Sequence, residues 1–88
     1  MKKQIWKFNL LVQSNFKIEM PKGAEIISVQ NQGGNGVMWA ICDTQAEKES
    51  RTFAIFGTGH NMPADGLKYV GTYLGHGALV WHLFEILI

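Results

Sequence analysis

Glu25-Ile26-Ile27-Ser28-Val29-Gln30-Asn31-Gln32-Gly33-Gly34-Asn35-Gly36-Val37-Met38-Trp39-Ala40-Ile41-Cys42-Asp43 carries the clearest strand–turn–strand signature of the chain. Its centre, Gly33-Gly34-Asn35-Gly36, is a strong hairpin signal, since glycine and asparagine tolerate the backbone angles of a tight reversal. A strand runs into it over Glu25 to Gln30, and another leaves it over Val37 to Asp43. The second is apolar on both faces, with Trp39 and Ile41 pointing one way and Met38, Ala40 and Cys42 the other.

Period-two patterning extends outward in both directions. Trp6, Phe8, Leu10 and Val12 share one face of a first strand, with Lys7 and Asn9 opposite. Phe16, Ile18 and Met20 repeat the pattern against Lys17 and Glu19. Met20-Pro21-Lys22-Gly23 reads as a tight turn with proline at its first central position. Downstream, Thr44 to Ser50 is a polar connection with room for a helical turn. Arg51 to Phe56 is a fifth strand, Gly57 to Gly66 a long loop and Leu67 to Leu74 a sixth strand. Gly75-His76-Gly77 then turns the chain into a final strand, Ala78 to Ile86. Helical periodicity is absent over any window of about ten residues. The pattern predicts one all-β domain over residues 1–88, a small antiparallel β-sandwich or barrel of seven short strands.

Composition narrows the functional classes. An apolar fraction of 47% supports a packed core and argues against disorder. Eight Lys and Arg against seven Asp and Glu give a net charge of +1, too little for a grip on long nucleic acid. A single cysteine, Cys42, precludes a disulfide within the chain and fits a reducing compartment. No signal-like segment follows Lys2 and Lys3. The apolar run from Ala78 is interrupted by His82 and Glu85 and falls short of the roughly 20 residues that span a bilayer. A soluble protein of the host-cell cytosol, without a membrane partner, is the expectation.

Assembly is also expected. A chain of 88 residues has a thin stability margin. Its final strand places Ala78, Val80, His82, Phe84 and Ile86 on one face and Leu79, Trp81, Leu83 and Leu87 on the other. Either a second copy covers one of those faces in a homo-oligomer, or the strand lies centrally in a sandwich.

Ile5-Trp6-Lys7-Phe8, Met20-Pro21-Lys22-Gly23-Ala24, Trp39-Ala40, Gly57-Thr58-Gly59-His60 and Val80-Trp81-His82-Leu83-Phe84-Glu85 run in order along nearly the whole chain. In this the chain resembles an uncharacterised family of small bacteriophage proteins. Members often carry proline directly after the GTGH histidine, whereas here Asn61 and Met62 precede Pro63. The resemblance implies phage origin and transfers no activity. Small accessory phage proteins frequently counter host defence, by blocking a host protein or by soaking up an immune signalling nucleotide.

Few residues suggest chemistry. Alternate glycines in Gly57-Thr58-Gly59-His60 let backbone N–H groups approach an anion, with Thr58 and His60 adding donors. The same pattern suits an ordinary glycine-rich connection, and it lacks the Walker lysine and the dinucleotide spacing. His60, His76 and His82 match no zinc motif, Cys42 lies within an apolar strand, and Asp43, Asp65 and Glu85 are scattered. Trp39, Trp81, Tyr69 and Tyr73 beside Arg51 offer stacking and phosphate contacts, or simply core. Gly71, between two tyrosines on one strand face, marks either a shallow slot or a bulge.

The expectation is therefore a phage accessory protein that sequesters a small ligand, a host immune signalling nucleotide, through Trp39, Arg51, Thr58, Gly59, His60 and Trp81. No catalytic residue, metal or cofactor is assigned. The alternatives are a protein-binding inhibitor of a host defence enzyme and a minor virion component.

Overall fold

Alternating side chains bury one face of a strand, and two such faces close a core when their sheets stack. The computed structural model, which describes residues 2–13 and 15–87, shows this arrangement. Its strands are β1 (Lys3–Asn9), β2 (Phe16–Pro21), β3 (Glu25–Gln32), β4 (Asn35–Asp43), β5 (Lys48–Gly57), β6 (Leu67–Leu74) and β7 (Val80–Ile86). They form a three-stranded sheet in the order β1-β4-β3 and a four-stranded sheet in the order β2-β5-β7-β6. Every pairing is antiparallel. Among the described residues no helix is long and apolar enough to cross a membrane.

The β3–β4 hairpin is tight. Gln32 pairs with Asn35, and Gly33 and Gly34 between them carry φ of 62° and 91°, the double positive φ of a two-residue strand reversal. The first sheet gives the core Met38, Ala40 and Cys42, flanked by Trp6, Phe8, Ile26 and Val29. The second gives Phe16, Met20, Phe53, Ile55, Tyr73 and Leu83. On the outer face of the first sheet Val37 is nonetheless buried. Lys7 Nζ donates to Gln32 Oε1 at 2.8 Å. Because Lys7 pairs with Trp39 and Gln32 with Asn35, that bond passes over Val37.

Several expected boundaries move. β1 ends at Asn9, because the chain crosses between sheets over residues 10–13. Leu10 N–H donates to Gly36 O on one sheet and Gln13 O accepts from Ile55 N–H on the other. Leu10 is buried while Val12 is exposed, so the two do not share a face as expected and the structural alternation ends with the strand. The turn after β2 sits one residue later than expected. Ala24 N–H closes onto Pro21 O, with Gly23 at φ 80° in the third position. The connection after β4 holds no helix: Thr44–Ala46 is a turn, and β5 starts at Lys48. Leu79 closes the last hairpin onto His76 O and Gly75 N–H, so β7 starts at Val80.

The larger correction concerns β6. Its register against β7 shifts between Tyr69 and Gly71. The bulge puts Tyr69 opposite Phe84 on the outer face and Tyr73 opposite Trp81 on the inner one, so the two tyrosines do not share a face. Gly71 opens no slot, because Val29 of the other sheet fills the space. A Cβ at Gly71 would lie 2.7 Å from Val29 Cγ2. The reciprocal contact is at Gly36 of β4, where a Cβ would lie 2.6 Å from the Tyr73 ring. Each sheet thus pushes one side chain into a gap left by a glycine of the other, and Asn31 Nδ2 donates to Leu74 O at 2.8 Å beside them. Gly71→Ala is expected to lower stability by about 1–3 kcal/mol through overpacking. Adding Val29→Ala should return part of that loss, as read by urea denaturation of the single and double variants.

Candidate functional site

Strand directions put distinct connections at the two ends of the sandwich. One end gathers the crossing 10–13, the Gly33-Gly34 turn, the GTGH loop and the β6–β7 hairpin; the other gathers the turns at 22–24 and 44–47. The residues expected to form one site occupy three places. Trp39 lies on the outer face of the three-stranded sheet, level with Lys7 and Ser28. Arg51 lies between the sheets at the second end. Thr58, Gly59, His60 and Trp81 come together at the first.

Arg51 is already committed. Its Nε and Nη2 donate to Glu85 Oε2 and Oε1, both at 2.7 Å, and Nη1 donates to Ala24 O at 2.6 Å. Its guanidinium also lies 6.0 Å from the Phe53 ring centroid. The Arg51 and Glu85 side chains are 17% and 11% exposed, and the hydrogen bonds that Arg51 donates to Glu85 raise its pKa above its ordinary value despite burial. A cleft of about 400 Å³ opens here, between Glu25, Arg51, Lys68, Val70 and Glu85. A guanidinium answered by a bidentate carboxylate offers an incoming anion little. The pair instead ties β5 and β7 to the turn after β2. Glu85→Gln is expected to cost about 3 kcal/mol by stranding the arginine charge, and Arg51→Met with Glu85→Leu to cost less than either single change. Thermal and urea unfolding of the variants measure both.

The GTGH loop is folded onto itself. Gly59, at φ 89°, lets His60 N–H reach Gly57 O at 3.0 Å. Gly57 N–H donates to His60 Nδ1 at 3.2 Å, and Thr58 N–H to Val80 O at 3.3 Å. Three of the four amides that an anion cradle would use, those of Gly57, Thr58 and His60, are thus spent within the protein. Because Nδ1 accepts, the neutral His60 ring carries its proton on Nε2. It meets Trp81 in a T-shaped contact, with centroids 6.3 Å apart.

Trp81 and Leu79 wall two adjoining recesses. The first, about 110 Å³, is shared with Gly57, Thr58, His60 and Val80. The second, about 180 Å³, is bounded by Leu10, Asn35, Gly36, Tyr73 and His76. Gly75 lets the indole come close to the hairpin, since a Cβ there would collide with Trp81 Nε1. Sequence patterning missed Leu10, Asn35 and Tyr73 as lining residues. The bulge at β6 hid the face of Tyr73, and nothing local pairs Gly36 with it.

The remaining titratable groups are placed as follows. Cys42 is fully buried, and burial raises its thiol pKa. His82, on the outer face of the four-stranded sheet, joins Thr58 Oγ1 at 2.8 Å and Thr72 Oγ1 at 3.0 Å. Thr72 in turn meets Tyr69 Oη at 2.6 Å. Among the described residues no group of three or more His, Cys, Asp or Glu is placed to hold a metal ion.

No curated protein and no solved structure matches the chain significantly. One family model matches residues 1–87, almost the full length. The chain belongs to the family described as Domain of unknown function (DUF7352).

Proposed function

We propose that this chain is a phage accessory protein that binds a small ligand, a host immune signalling nucleotide, and sequesters it without converting it. The observation that carries the reading is Trp81 standing between two adjoining recesses, with His60 and Thr58 beside one and Tyr73 beside the other. An indole with polar neighbours in a concavity suits a flat, polar-edged ligand. The resemblance to small phage proteins supplies the biological setting. The contacts are Thr58, His60 and Trp81; Trp39 and Arg51 lie on another face and at the other end. A second copy seated over the first end deepens these recesses into one enclosed site, which makes the binder a homo-oligomer.

The outer face of the four-stranded sheet favours a second reading, an inhibitor that docks on a host enzyme. Phe84 there packs edge-on against Phe56 and Tyr69, and Tyr69 and Leu74 are exposed. One sample separates the two readings. Purified protein is incubated with extract from defence-activated cells, washed and heated, and both released small molecules and bound polypeptides are identified by mass spectrometry. The sequestering reading expects a released nucleotide from a preparation holding more than one copy of the chain. A co-purified host polypeptide, with no nucleotide from extracts of several defence types, contradicts it.

A further inference from the structure

A strand at the edge of a sheet carries a row of N–H and C=O groups that stands ready to pair another strand. The edges are β1 and β3 in one sheet and β2 and β6 in the other. β3 and β6 shield each other through the Val29–Gly71 fit and the bond from Asn31 to Leu74 O. β1 and β2 pair on one side only, with β4 and β5, and share no ladder with one another. The two open edges differ in charge. β1 holds Lys3 and Lys7 and no carboxylate, so a second β1 laid antiparallel about Ile5 would set lysine against lysine. β2, Phe16-Lys17-Ile18-Glu19-Met20-Pro21, has a self-complementary pattern instead. Lys17 and Glu19 are exposed on its outer face, opposite Thr52 and Ser50 of β5. Among the described residues neither has an ion-pair partner.

We infer that the free edge of β2 pairs with β2 of a second copy of the chain, antiparallel about a two-fold axis at Ile18. In that register Lys17 faces Glu19 of the second copy, Glu19 faces its Lys17, and Phe16 faces its Met20. Directly opposed residues of antiparallel strands stand about 4.5–5.5 Å apart at Cβ, within reach of an ion pair. The half-buried Ile18, which packs against the core, meets its counterpart at the axis. A slip of two residues either way would oppose Lys17 to Lys17 or Glu19 to Glu19, so the charges also fix the register. Pro21, which has no N–H, ends the ladder and leaves Phe16 to Met20 of each copy to form it. The pairing joins two four-stranded sheets into one continuous sheet and removes an open edge from each copy. β2 supplies none of the residues lining the recesses beside Trp81. This interface therefore goes beyond the sequestering function and stands independently of it.

The test is sedimentation of the purified full chain over a dilution series, with far-ultraviolet circular dichroism as the check on folding. The parent is expected to self-associate. Lys17→Glu and Glu19→Lys each set like charges at both cross-strand pairs, and each should weaken that association about tenfold. Mixing the two single variants should restore it, as a hybrid in which every pair is again opposite in sign. Lys17→Glu combined with Glu19→Lys in one chain should restore it as well. Both positions are exposed, so the variants should keep the parent's dichroism spectrum. A parent that stays monomeric at every concentration overturns the inference and leaves the β2 edge to a strand of another protein. Association that neither single reversal weakens overturns it too, and moves the contact to another surface, such as the first end of the sandwich. Association lost in the single variants but recovered neither in their mixture nor in the double swap also contradicts it, because the opposed charges are then not what joins the copies.

Discussion

The two sheets are locked by a reciprocal fit in which each supplies a glycine gap and a side chain to fill the other's. Tyr73 of β6 lies under Gly36 of β4, and Val29 of β3 lies over Gly71 of β6. Neither glycine has a positive φ, so both are there for lack of a side chain rather than for backbone freedom. Stacked sheets ordinarily stand about 10 Å apart. The fit fixes how the edge strands β3 and β6 meet, and so which residues line the first end of the sandwich.

The interior is asymmetric as a result. At one end the space between the sheets is closed by a charged pair whose hydrogen-bonding capacity is used on Glu85 and Ala24. At the other it is closed by aromatic rings held against glycines, and there a hydroxyl is left without a partner. A satisfied ion pair is a structural brace.

Much of the architecture was legible in the sequence. Alternation placed all seven strands, and the Gly33-Gly34 reversal set the register of the central hairpin. What escaped was whatever depended on a break in period or on distant partners. A one-residue bulge at Val70 exchanges the faces of Tyr69 and Tyr73, and pattern reading carries a strand's parity straight through such a point. Arg51 finds Glu85 34 residues away, a pairing that composition cannot announce. The GTGH loop looked able to cradle an anion because its glycines are visible, while three of its four amides are answered by Val80 O, Gly57 O and its own histidine ring. The final strand proved central in its sheet, yet its outer face, with Phe84 and His82, is not covered by the other sheet.

The glycine-locked aromatic end of the sandwich is where we propose that a flat ligand sits, beside Trp81. A high-resolution crystal structure of the protein recovered from extract of defence-activated cells tests this. The proposal predicts flat density in the recesses beside Trp81. A recess holding only a chain of ordered waters, or one closed by a rotated Leu79 or His76, would contradict it.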